Sequence, residues 1–148
     1  MVSGWVAEPF WEGDGQVFRH GSTYAGHPTC CAAALANLDV LARDDLVGQG
    51  ARLEGPLLES LAALRGHAAV SEVRGGTGLL AAVEIAPAIL ERRPDAVAKL
   101  HRAMRDAGVL VRPLGTAVAI SPPLTIEHSE LALIAEAIAT GFDRLIQT

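Results

Sequence analysis

Two hydroxyl residues, Ser22 and Thr23, stand in a loop between Gly21 and Gly26 that leads into a helix predicted from Pro28. Such a loop can present hydroxyl and backbone N–H groups together, and this donor set suits an anion such as a phosphate. The alternative is structural, because Ser and Thr also cap the first turn of helices. Thr23 is our first choice for a binding residue.

Arg112 is the second candidate, at the end of a short predicted strand. A guanidinium donates two parallel charge-assisted hydrogen bonds to a planar carboxylate, so this residue type suits an acidic ligand. The alternative is an exposed arginine at a strand end. Arg74, beside a glycine-rich turn, is expected to be structural, with its side chain bonded to neighbouring carbonyl groups.

The histidines and cysteines do not indicate metal or thiol chemistry. His20 and His27 are seven residues apart, which is not a metal-ligand spacing on a helix, so we expect them to pack within the loop. Cys30 and Cys31 are adjacent and cannot form an unstrained disulfide. Their Ala-rich surroundings predict two buried, inert thiols rather than a nucleophile.

The 148-residue chain has the composition of a globular protein, with 50% hydrophobic and 20% charged residues. Its formal net charge of -5 comes without a Lys/Arg run, which argues against nucleic acid or an anionic membrane as partner. No apolar stretch reaches the roughly 18 to 20 residues that span a bilayer, and no leader-like segment opens the chain. The cytoplasm is therefore the expected location.

Hydrophobic spacing predicts helices alternating with short antiparallel strands. The expected helices start at residue 28, run over 46–64 with a bend or restart at Gly55 and Pro56, cover 94–107, and follow Thr125; the expected strands are 70–73, 79–85, 109–112 and 117–120. The first two strands can pair across a glycine-rich turn. This order predicts an α/β, or α+β, fold class.

The first 26 residues hold five of the six aromatic residues, namely Trp5, Phe10, Trp11, Phe18 and Tyr24. This glycine-rich segment is predicted to be irregular, so its rings have no periodic face of their own and are expected to dock on another domain or subunit. We therefore expect residues 1–45 to belong to a neighbouring domain and residues 46–148 to form a separate one.

Three segments, in order, resemble one known family. Residues 18–28, FRHGSTYAGHP, resemble the H-G-x-T-Y-x-G-H-P segment of class III aminotransferases, also called the ornithine and omega-aminotransferase family. Residues 73–80, VRGGTGLL, resemble its V-R-G-x-G-L run. Residues 109–115, VLVRPLG, continuing to SPPL at 121–124, look like its carboxy-terminal substrate segment. An ordered set that covers nearly the whole chain is far more specific than any single motif.

The resemblance implies the end of the large domain (1–45) and the carboxy-terminal small domain (46–148) of a fold type I enzyme that uses pyridoxal 5'-phosphate. It implies that Ser22 and Thr23 bind the cofactor phosphate of the other subunit of a homodimer, and that Arg112 binds a substrate carboxylate. The implied reaction transfers an amino group between an amine or amino acid and a 2-oxo acid. Class III relatives also include racemases, mutases and decarboxylases, so another reaction with this cofactor stays open.

The chain contains one lysine, Lys99. Pyridoxal-phosphate chemistry needs a lysine that holds the cofactor as a Schiff base, but Lys99 lies in a predicted surface helix with no match to the family's catalytic segment. We expect a solvated Lys99, a catalytic lysine on a missing upstream large domain, and no activity of this chain alone. The alternative is a non-catalytic dimerisation or interaction module.

Overall fold

The computed structural model describes residues 2–12, 17 and 19–147. Its contacts divide the chain into an amino-terminal unit, residues 1–39, and a carboxy-terminal unit, residues 40–148. Phe18, one of the aromatic residues expected to dock on a partner, lies outside the described residues. Within the described residues, no helix combines the length and the apolar character needed to cross a membrane.

The amino-terminal unit begins with helix α1, Gly4–Trp11, where the sequence predicts irregular structure. The carbonyl of Ser3 accepts the N–H groups of Val6 and Ala7, both at 3.1 Å, and so begins the first turn. Pro9 lies inside the helix, where its missing N–H removes one intrahelical hydrogen bond. The prediction of an irregular segment is therefore wrong over these residues.

Helix α2, Pro28–Arg43, begins at the predicted proline but has no buried residue. Its Leu35 and Leu38 side chains are 63% and 58% exposed. Cys30 and Cys31 are exposed free thiols, so the prediction that they are buried is wrong. The apolar face expected from the spacing exists, but it stays open to solvent in the part of the chain that the structure describes.

The carboxy-terminal unit contains one antiparallel sheet and most of the helices. Its elements are α3 (Leu46–Ser60), a 3-10 helix (Ala62–Gly66), β1 (Val70–Gly75), β2 (Ala81–Ile85), α4 (Pro87–Arg92), α5 (Ala96–Asp106), β3 (Arg112–Leu114), β4 (Ala117–Ile120) and α6 (His128–Gln147). The strand order is β1-β2-β4-β3. The predicted mixed fold class is confirmed, and so is the pairing of the first two strands.

One face of the sheet contributes to the hydrophobic core. In β2, Ala81, Val83 and Ile85 are buried, whereas Ala82 and Glu84 are partly exposed, so the sheet has a core face and an outer face. The core also contains Leu61, between α3 and the 3-10 helix, and side chains from the helices and β4, among them Leu57, Leu100, Met104, Val118, Leu131, Ile138 and Phe142.

Strand β3 begins later than the sequence predicts. Gly108 has φ +84°, and the N–H groups of Gly108 and Val109 return to carbonyls of the last turn of α5, both at 3.0 Å. These are the two hydrogen bonds of a Schellman cap, so the N–H of Val109 belongs to the end of α5. Sheet pairing starts at Arg112 and includes Pro113, which an edge strand tolerates. The strand predicted at 109–112 is therefore displaced to 112–114.

Helix α3 runs without a break through Gly55 and Pro56, so the restart allowed by the sequence is absent. It ends at Ser60, and the 3-10 helix continues the chain where the sequence predicts a single helical stretch to residue 64. Helix α4 is not among the predicted elements, although Pro87 at its first position is a helix-start signal.

Candidate functional site

The first candidate residues lie in a tight turn of the amino-terminal unit. The carbonyl of Ser22 accepts the N–H of Ala25 at 3.0 Å, and the carbonyl of Tyr24 accepts the N–H of His27 at 3.1 Å. Gly26 has φ +74°, a conformation that favours glycine and lets the chain turn into α2. The structure thus places Ser22 and Thr23 side by side on an exposed turn just before a helix.

His27, and not Ser22 or Thr23, caps helix α2. The ring Nδ1 of His27 accepts the N–H of Thr29 at 3.3 Å, and its carbonyl accepts the N–H of Cys31 at 3.0 Å. The His27 ring also packs edge-on against Tyr24, with ring centroids 6.4 Å apart. The capping role that the sequence leaves open for the two hydroxyl residues is therefore filled by another side chain.

The turn keeps several hydrogen-bond donors available. Within the described residues, the backbone N–H groups of Ser22, Thr23 and Gly26 donate to no backbone carbonyl, and both hydroxyl side chains are exposed. Two hydroxyls and three N–H groups in five residues form a donor set that suits a phosphate.

The second candidate, Arg112, lies on the outer face of the sheet in the carboxy-terminal unit. Arg74 pairs with Ala82, Ala82 pairs with Ala119, and Ala119 pairs with Arg112 across the four strands. Directly paired residues share one face of a sheet, so an arginine stands at each end of a row with two alanines between. A groove of about 550 Å³ follows this row, and Leu80 and Leu114 also line it.

Arg74 is held by two carboxylates. Its guanidinium lies 3.0 Å from Glu72 and 2.8 Å from Glu84, and Glu84 also accepts a hydrogen bond from the hydroxyl of Thr116. The pKa of Glu84 is lowered, chiefly by the Thr116 hydroxyl and further by Arg74, while burial acts in the opposite direction. Arg74 is thus structural, but the prediction that it binds carbonyl groups is wrong, because its partners are carboxylates on two paired strands.

Arg112 has a different electrostatic environment. Its side chain is exposed, and no carboxylate among the described residues lies within 4.0 Å of its guanidinium. Of the two arginines that line the groove, only Arg112 keeps its charge available for an external anion.

A third residue, Glu54, was not identified from the sequence. Its carboxylate accepts the N–H of Gly78 at 2.6 Å and so ties helix α3 to the turn between β1 and β2. Gly76 and Gly78 have φ of +95° and +100°, which glycine accommodates readily. The glycines are visible in the sequence, but no local signal connects them to a residue 24 positions away.

Lys99, the only lysine of the chain, does not line the groove that contains Arg74 and Arg112. Lys99 lies on α5 and pairs with Asp95 at 3.0 Å, one helical turn before it, and its side chain is 54% exposed. This confirms the prediction of a solvated helix face. Among the described residues, no group of His, Cys, Asp and Glu could hold a metal ion.

Comparison with known proteins identifies the family of the chain. The family model described as "Aminotransferase class-III" matches residues 6–142. The chain belongs to the class III aminotransferase family. An omega-aminotransferase of Caulobacter vibrioides is 38% identical over 125 residues, which are 80% of this chain and 27% of that protein. This class III chain therefore spans less than a third of that relative's length.

Solved structures show the same relationship. An (S)-enantioselective omega-transaminase from Thermomicrobium roseum superposes with a TM-score of 0.78 at 35% identity, covering 98% of this chain and 33% of that one. A PLP-bound amine transaminase from an uncultivated Pseudomonas species superposes with a TM-score of 0.75 at 38% identity, covering 94% and 33%. The class III chain thus has the fold of about one third of a transaminase.

Proposed function

We propose that this chain is part of a pyridoxal-phosphate-dependent aminotransferase that transfers an amino group between an amine or amino acid and a 2-oxo acid. The observation that carries the proposal is the class III match over residues 6–142, with relatives and solved structures named as aminotransferases or transaminases. The chain spans about a third of the length of these proteins. Its roles in the reaction are therefore inferred from its own residues.

The turn at residues 22–26 is the proposed contact to the cofactor phosphate. Its exposed hydroxyls and unused N–H groups match the needs of a dianion, and His27 leaves them free by capping α2 itself. Thr23 donates through its hydroxyl and Ser22 supports it. When bound, the cofactor supplies the electron sink for amino transfer.

Arg112 is the proposed carboxylate-binding residue for acidic substrates. Its unpaired guanidinium can donate two parallel hydrogen bonds to one carboxylate, and its place beside an apolar groove lets the substrate chain lie on the sheet. Arg74 does not share this role because the carboxylates of Glu72 and Glu84 already compensate its charge. Arg112 thus binds and orients the substrate, and it takes no part in proton transfer.

The chain needs a partner for the chemistry. Its only lysine is paired with Asp95 on an exposed helix, so we assign the Schiff-base lysine to a large domain outside these 148 residues and expect no transamination by the chain alone. Residues 1–45 would complete that large domain and residues 46–148 form the small domain. Exposed Trp5, Trp11 and Leu35 support a partner surface, either on that domain or on the second subunit of a homodimer.

A cytoplasmic location is part of the proposal. Cys30 and Cys31 are exposed and unpaired, a state that suits a reducing compartment.

A non-catalytic dimerisation module is the second candidate function. It is favoured by α2, which has sixteen residues and none buried. Such a module would use the same apolar surface without binding pyridoxal phosphate.

Phosphate binding separates the two functions. The isotopically labelled chain is titrated with pyridoxal phosphate, with pyridoxal as the ligand that lacks the phosphate, and the amide signals of the turn are followed by NMR. We expect pyridoxal phosphate alone to shift Thr23 and Gly26, and Thr23→Val to weaken binding. Thr29→Val is the matched control, because Thr29 is an exposed threonine inside α2. Equal effects of both substitutions, or no shift in the turn, would favour the module.

The absorbance spectrum tests the missing lysine. After mixing with pyridoxal phosphate and desalting, the chain is expected to retain no Schiff-base absorbance. A retained band that disappears in Lys99→Ala would refute the assignment of the lysine to another segment.

A further inference from the structure

The outer face of the sheet contains an ordered row of side chains, Arg74, Ala82, Ala119 and Arg112, in direct register across four strands. Three strand spacings separate the ends of the row, so the backbones of the two arginines are roughly 14 Å apart. Between them the surface consists of two methyl groups. All four residues line the same groove.

The neighbouring row explains why the two arginines differ. Glu72 pairs directly with Glu84, and two like charges in this position repel each other unless a cation lies between them. Arg74 contacts both carboxylates at 3.0 and 2.8 Å, and it thereby compensates them. Arg74 and Arg112 line the groove, Glu72 and Glu84 lie in the row beside it, and of the two arginines only Arg112 lacks a carboxylate partner among the described residues.

The small side chains determine the space beside Arg112. Directly paired residues have Cβ atoms about 5 Å apart, so any side chain longer than alanine at position 119 would lie against the Arg112 stem and fill the groove floor. Position 82 lies one strand further away and controls the room left for the rest of a ligand.

We propose that Ala82 and Ala119 are specificity-determining residues, and that their methyl floor admits a ligand with one carboxylate, bound by Arg112, and an uncharged aliphatic chain. A dicarboxylate gains nothing here, because its second carboxylate meets a compensated Arg74 and two glutamates. This inference rests on the proposed role of Arg112, and it adds the selection among acidic substrates.

The test uses NMR of the labelled 148-residue chain with butyrate, glutarate and butylamine as probes. Butyrate is expected to shift the Ala119 methyl and Arg112 side-chain signals, glutarate to bind no more tightly, and butylamine to leave both unchanged. Ala119→Leu is expected to weaken butyrate binding about tenfold, equivalent to about 1.4 kcal/mol. Ala98→Leu, the same change at an exposed site on α5, is the matched control and should have no effect.

A double substitution that should strengthen the binding of glutarate gives an independent test, because it introduces no larger side chain into the groove. Glu72→Gln with Glu84→Gln removes both carboxylates from Arg74, and glutarate should then bind more tightly than butyrate. Butyrate binding that survives Arg112→Leu, or no butyrate-dependent shift at all, would overturn the role of Arg112 together with this inference. Binding that needs Arg112 but ignores Ala119→Leu and the double substitution would overturn this inference alone.

Discussion

Replacing Glu84 by glutamine should lower the free energy of unfolding by about 1 to 2 kcal/mol near neutral pH. Glu84 accepts charge-assisted hydrogen bonds from the Thr116 hydroxyl and, at 2.8 Å, from Arg74, and its side chain is 20% exposed. Hydrogen bonds to charged groups contribute about 1.5 to 3 kcal/mol when buried, and solvent screening reduces this at the sheet surface. Removal of the repulsion from Glu72 offsets a further part of the loss.

The pH dependence identifies the charged form as the cause. The pKa of Glu84 is lowered from 4.5, first by Thr116 and then by Arg74, against an opposing effect of burial. A carboxylate whose pKa is lower in the folded state contributes its full stabilisation above the unfolded value and loses it as the pH falls through the folded value. The difference between the native chain and Glu84→Gln should therefore be complete near neutral pH and shrink below pH 4.5.

The assay is urea unfolding followed by circular dichroism at neutral and acidic pH. Thr116→Val removes the main cause of the lowered pKa and should reduce stability in the same pH range. Glu72→Gln is the control, because the Glu72 side chain is 58% exposed and its pairing with Arg74 is more strongly screened. A loss for Glu84→Gln that equals the loss for Glu72→Gln, or that does not change with pH, would refute the argument.

Four further substitutions test other parts of the structure. Phe142→Ala should destabilise the carboxy-terminal unit by about 3 to 5 kcal/mol in urea unfolding, because a fully buried ring is lost from the core. Gly141→Ala should cost up to about 2 kcal/mol in the same assay, since the overpacking by a new Cβ 2.8 Å from Leu100 Cδ1 exceeds the gain of about 1 kcal/mol in helix propensity; a raised midpoint would mean that the Leu100 side chain moves aside freely. His27→Ala should reduce the helicity of α2 measured from Cα chemical shifts, whereas Lys99→Ala on an exposed face should leave the unfolding curve unchanged.

The sequence predicts the elements with strong local signals. The core-facing pattern of α6, with Leu131, Ile138, Phe142 and Leu145 buried, follows from helical spacing. Gly108 ends α5 as a C′ glycine should. Hydrophobic alternation could not predict where β3 starts. The N–H of Val109 bonds to the last turn of α5 and not to a neighbouring strand, and this choice does not change the alternation of the sequence.

The candidate residues show the same difference between local motifs and contacts that are distant in sequence. Ser22, Thr23 and Arg112 stand in contiguous motifs, and their roles remain predictions. The contact of Arg74 with Glu84 depends on the register of β1 against β2, so the sequence could not name Glu84. The predicted burial of Cys30 and Cys31 is wrong because apolar periodicity indicates only which helix face can be covered, whereas tertiary contacts decide whether it is covered.

The two units differ in what stabilises them, and this bears on how the proposed phosphate turn works. The carboxy-terminal unit has a core to which its sheet and helices contribute. This core supports the sheet that carries Arg112 and the groove. The turn at 22–26 leads into α2, whose sixteen residues include none that is buried, and helices of this length are only marginally stable in water without packing. A partner that covers Leu35 and Leu38 would stabilise the helix and, through the His27 cap, the turn that presents Thr23. Phosphate binding at Thr23 should therefore strengthen when that partner is bound, whereas carboxylate binding at Arg112 should not depend on it.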